Sequence, residues 1–100
     1  MLKQGEILNL LEQKYPYLIS EFGVKKIGIF GSYTKEKAGE ESDIDLVVDF
    51  ERPLGFRFIE LAEYLENLLG KRVEVLTPAG IKGIRHPHIA RDIENSIIYV

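Results

Sequence analysis

Apolar residues recur at helical spacing near the N-terminus, first as Ile7, Leu10 and Leu11 and then as Leu18, Ile19 and Phe22. This predicts a helix over residues 3–22, broken or kinked by Pro16 near Tyr15 and ended by Gly23. Residues 24–30 read as a short strand whose Gly28 would let another element approach closely. Ser32 reads as the N-cap of a short helix over 33–37, and residues 38–42 as a polar loop. Strand periodicity is clearest over 44–50, and a loop containing Pro53 follows over 51–55. Phe58, Leu61, Ala62, Leu65 and Leu68 define an amphipathic helix of about four turns, with Gly70 where a C-terminal glycine cap belongs. A third strand is predicted over 72–77, with Val73 and Val75 on one face and Glu74 on the other. Pro78, Gly80 and Gly83 punctuate a predicted loop. Pro87 suits the first turn of a last helix carrying Ile89 and Ile93. Residues 97–100 read as a short strand or a packed tail.

Helices alternating with strands in this order give an α/β (or α+β) chain, with one small sheet covered by helices. One hundred residues, 45% hydrophobic and 29% charged, suit a single soluble domain over 1–100. The net charge of −3 and pI near 5.4 imply no broad basic surface for nucleic acid. No cysteine is present, which leaves no thiolate metal site and fits a reducing cytoplasm. Charged residues interrupt the N-terminus where a signal peptide would need an apolar core, and no apolar run approaches the ~20 residues of a membrane span.

The candidate chemistry lies in residues 31–46. Gly31-Ser32 closes the first strand, and Asp43-Ile44-Asp45 opens the second. Side chains alternate along a strand, so Asp43 and Asp45 share one face. Paired carboxylates repel unless a cation lies between them, and Mg²⁺ takes one or two protein carboxylates with water and substrate phosphate. Gly-Ser at a turn supplies unhindered N–H groups and a hydroxyl suited to a triphosphate. Glu74, in the third strand, is the natural third carboxylate if that strand lies beside the second. The competing account has Asp43 capping the strand entry, Asp45 solvated, and Glu74 paired with Arg72 or Lys71.

Gly31-Ser32, ten residues, then Asp43-Ile44-Asp45, together with the 72–77 run, resembles the minimal nucleotidyltransferase (MNT) family of the polymerase-beta-like superfamily. The likeness covers nearly the whole chain. It implies a mixed sheet with flanking helices, two Mg²⁺ ions and ATP as donor. By that likeness Asp43, Asp45 and Glu74 are the catalytic metal ligands, and Gly31 and Ser32 bind the nucleotide, with Lys35 a further candidate. Members of this family are commonly antitoxins paired with a HEPN ribonuclease toxin, transferring AMP from ATP to a tyrosine of the toxin. The chain departs from many relatives at Lys35-Glu36, where they carry Arg-Gly, and at Glu74, where they often carry Asp. Those departures motivate the alternative of an antitoxin that neutralises its partner by occlusion, without catalysis.

Other residues favour plainer roles. His86 and His88, flanking Pro87, read as helix entry rather than as a metal pair. Lys82, Arg85 and Arg91 read as a solvated basic face, and Asp49 as solvated or ion-paired. Tyr15, Tyr17 and Tyr64 read as core or partner surface, and Tyr33 as the best tyrosine for nucleotide contact. The apolar tail, Ile97 to Val100, could support a homo-oligomer.

Overall fold

The computed structural model describes residues 2–34, 39 and 42–100. The N-terminal pattern folds as α1 (Gln4–Phe22), which buries Ile7, Leu11, Leu18 and Phe22. Pro16 lies inside this helix and does not end it. A proline in mid-helix costs about 3 kcal/mol through a lost hydrogen bond and a clash. Burial of one large apolar side chain returns about 1.5–3 kcal/mol, and α1 has buried anchors on both sides of Pro16. Tertiary packing therefore overrides the break. Gly23 ends the helix in the left-handed region, at φ 65°.

β1 (Val24–Phe30) and β2 (Ile44–Phe50) pair antiparallel. From β2 the chain crosses through α2 (Arg57–Leu69) to β3 (Val73–Leu76), which lies parallel to β2. A parallel neighbour requires such a crossover, and here the helix supplies it. After α3 (Pro78–Lys82) and α4 (Pro87–Ser96), the tail adds β4 (Ile98–Tyr99) antiparallel to β1. The four-stranded mixed sheet has the order β3-β2-β1-β4. Gly28 admits β4 as expected: a Cβ there would stand 2.6 Å from the Ile98 carbonyl oxygen.

The two sheet faces are covered unequally. Ile27, Ile29, Ile44, Leu46 and Val48 face α1 and α2 and form the main core with Leu61, Leu65 and Leu69. On the other face Phe30 and Val47 pack against Ile81 and Ala90, with Leu76, Ile84, Ile93 and Ile97 around them. This smaller core covers only part of its face. The carboxylate-bearing end beside it stays accessible, with Asp45 half-buried and Glu74 exposed.

One expectation needs correction here. The loop predicted at Pro78, Gly80 and Gly83 is the helix α3: the Thr77 side chain caps it by accepting the Gly80 N–H at 3.1 Å, and Pro78 opens its first turn. Burial of Ile81 then outweighs the glycines' poor helix propensity. The last helix expected from Pro87 is borne out as α4, which carries Ile89 and Ile93; Ala90 and Ile93 face the sheet and Ile89 is 50% exposed.

Candidate active site

Strand register brings the principal carboxylates together. Asp45 lies opposite Phe30 of β1 on one side and opposite Glu74 of β3 on the other. Neighbouring strands run about 4.7–4.9 Å apart, and directly paired residues share a face. Asp45 and Glu74 are therefore adjacent. Asp43 stands just ahead of β2, exposed, where its charge is felt by Asp45. Ser42 and Gly39 fix the backbone leading into it, Ser42 N–H donating to the Gly39 carbonyl at 3.1 Å and Gly39 N–H to Ser42 Oγ at 3.0 Å.

Beyond Phe30 the chain turns through a single 3-10 turn, Gly31–Tyr33. Gly31 adopts φ 77°, a region that L side chains rarely adopt, and its Cα faces the Asp45 carboxylate so closely that a Cβ would collide with Oδ2. Its carbonyl accepts two hydrogen bonds from Thr34, from the N–H at 3.1 Å and from Oγ1 at 2.7 Å. Thr34 thus buttresses the turn, a role that sequence reading missed although a hydroxyl three residues after a turn glycine is a recognisable signal. Ser32 is half-buried within the turn. It is not the N-cap expected of it, because the turn begins at Gly31 and no side chain caps it. Lys35 and Glu36 lie outside the described residues, as do most residues of the helix predicted over 33–37.

Tyr33 is also corrected. It is 3% exposed and packs in the main core, with the Lys71 ammonium 5.7 Å from its ring centre, so its ring lies on the sheet face opposite Asp45 and Glu74. Tyr17 and Tyr64 stack with their ring centres 5.0 Å apart, and Tyr15 donates its hydroxyl to the Lys25 carbonyl at 2.6 Å. His86 occupies the N-cap position of α4, and both it and His88 are exposed. Asp49 is half-buried farther along β2.

The electrostatics follow from this crowding. Burial first, then the charge of Glu74 and a hydrogen bond shared with it, and lastly Asp43, push the Asp45 carboxyl from 3.8 up to about 6. Like charges held together favour a shared proton or a cation. Among the described residues, no group of three His, Cys, Asp or Glu side chains is already arranged to hold a metal ion. A hard divalent ion does not require one: Mg²⁺ is typically held by one or two carboxylates, with water and substrate phosphate filling the rest. The all-oxygen pair of Asp45 and Glu74, with Asp43 beside it, fits that donor chemistry.

Known proteins resemble this chain in sequence and in fold. Residues 6–100 match the family model of the nucleotidyltransferase domain. The chain is 43% identical to the protein adenylyltransferase MntA of Thermococcus cleftensis, covering 100% of this chain and 98% of that one. A Methanocaldococcus jannaschii protein, provisionally named a protein adenylyltransferase, is 39% identical with 96% of each chain covered. Among solved structures, a provisionally assigned minimal nucleotidyltransferase superposes with a TM-score of 0.67 at 27% identity, over 92% of this chain and 93% of the other. A toxin–antitoxin crystal structure with AMP-PNP shares the fold, with a TM-score of 0.63 at 22% identity over 98% of this chain and 72% of its own.

Proposed function

Since the chain belongs to the nucleotidyltransferase-domain family, we propose that it moves AMP from ATP to a hydroxyl of a partner protein, a tyrosine of a HEPN-type toxin, and so acts as an antitoxin. The observation that carries this reading is the pairing of Asp45 with Glu74 across β2 and β3, one residue position from the Gly31 turn. Asp43, Asp45 and Glu74 would hold Mg²⁺, two ions in all. Gly31 and Ser32 would hold the triphosphate, with Lys35 as a further phosphate contact. The whole chain would serve as one minimal nucleotidyltransferase domain.

In the transfer, the acceptor oxygen bonds to the α-phosphorus and the bond from that phosphorus to the β-phosphate's bridging oxygen breaks. Pyrophosphate leaves, and the hydroxyl proton passes to solvent. Bound divalent ions would neutralise the phosphates and lower the pKa of the acceptor hydroxyl. The chain's own contribution is placement, because phosphoryl-type transfer depends mainly on alignment and charge neutralisation. Gly31 and Thr34 hold the phosphate turn against Asp45, and β3 holds Glu74 in register. The smaller core seats α3 and α4 beside the open carboxylates, leaving the acceptor to approach from solvent.

The test is transfer of label from α-labelled ATP to the partner, with Asp43→Ala combined with Asp45→Ala as the control. Loss of transfer in a variant with an unchanged circular dichroism spectrum supports the reading. Retained transfer sinks it.

A further inference from the structure

Residues 75–91 contain Lys82, Arg85, Arg91, His86 and His88 but no aspartate or glutamate, in a chain whose 16 acidic residues outnumber its 13 Lys and Arg. The structure gathers this stretch on α3, the link and the first half of α4, whose second half carries the exposed Asp92 and Glu94; these elements pack beside Asp45 and Glu74 on the same face of the sheet. Lys82, Arg85 and Arg91 are exposed. Among the described residues, none of Lys82, Arg85 and Arg91 forms an ion pair. Between α3 and α4 runs an open depression of about 340 Å³, walled by Ile84, Pro87 and Ala90 and rimmed by Lys82, Arg91 and Glu94.

We infer that this α3–α4 surface docks an acidic, partly aliphatic surface of the acceptor protein beside the carboxylate site. The inference rests on the reading that the acceptor is a protein. Such an acceptor meets α3 and α4 on its way to the site, because they pack on the same sheet face as Asp45 and Glu74. Cations without acidic partners are well suited to steer an acidic surface and to fix its register. The aliphatic walls suit an apolar side chain from that surface. They suit nucleic acid less well, since unstacked bases are held chiefly on aromatic rings and the depression has no aromatic lining.

The experiment is fluorescence anisotropy of the full chain with three labelled probes: an acidic peptide rich in Glu and Leu with one tyrosine, its counterpart with Lys for Glu, and a mixed-sequence single-stranded RNA. The expected result is affinity about tenfold higher for the acidic peptide than for the basic one. Arg85→Glu with Arg91→Glu should invert that preference. Should that variant misfold by circular dichroism, Lys82→Ala with Arg85→Ala and Arg91→Ala should abolish it. Equal affinity for the two peptides, no binding of either, a preference that survives the substitutions, or tighter binding of RNA overturns the inference. Failure here while AMP transfer to a protein persists removes the docking surface alone. Intact docking without transfer removes the functional reading alone.

Discussion

The backbone of Gly31 abuts the carboxylate of Asp45, leaving no space for a side chain at position 31. The first residue of the 3-10 turn and the acid at the centre of the candidate site are thereby tied to one another. Gly31→Ala incurs two penalties, a left-handed backbone worth about 1–2 kcal/mol and displacement of Asp45. Gly23, at φ 65° with nothing within 4 Å of its absent Cβ, supplies the control. Urea denaturation should show Gly31→Ala as the more destabilised variant, and AMP transfer should fall in Gly31→Ala but not in Gly23→Ala.

Asp45 makes the metal-free protein sensitive to pH. Its folded pKa of about 6 lies above the ordinary 3.8, so the folded state binds this proton more tightly than the unfolded state does. Its contribution is fully present below 3.8 and is lost as pH rises to about 6. After screening of a half-exposed group, the effect is on the order of 1 kcal/mol. Asp45→Asn should remove this component and leave the metal-free chain more stable than the parent above pH 6, as read by thermal melting.

A divalent cation competes with that proton. The gain in melting temperature on adding Mg²⁺ should be larger at about pH 7.5 than at about pH 5, because only ionised carboxylates ligate it. Asp45→Asn should show no gain at either pH.

Glu74 tests alignment more finely than Asp45 does. Glu74→Gln removes a charge from the pair and should lower AMP transfer by at least about 10²-fold, while leaving metal-free stability equal or higher. An unchanged rate would place Glu74 outside the site.

Thr77 reports on the wall beside the site. Its side chain caps α3 through the Gly80 N–H, so Thr77→Ala should cost about 1 kcal/mol in urea denaturation.

Where local pattern and tertiary packing agree, the chain is legible before folding. The strands at 24–30 and 44–50 and the Gly70 cap match their expected positions, because alternation and a left-handed glycine are local signals. The partnership of Asp45 with Glu74 required only that β3 lie next to β2, which the intervening helix favours. The unbroken helix at Pro16, the helix α3 and the burial of Tyr33 share a reason. In each, burial against a distant element decides the outcome, and neither proline content nor nearness to Ser32 carries that information. The Thr34 buttress of Gly31 has a local signature, a hydroxyl three residues after the turn glycine, which hydrophobic periodicity does not register.

The most direct test of the central claim is the intact mass of the HEPN-type partner after incubation with this protein, ATP and Mg²⁺. The parent chain should add at least one adenylyl group, and Asp45→Asn should add none. A partner that is neutralised with its mass unchanged, or one modified equally by Asp45→Asn, would contradict the account.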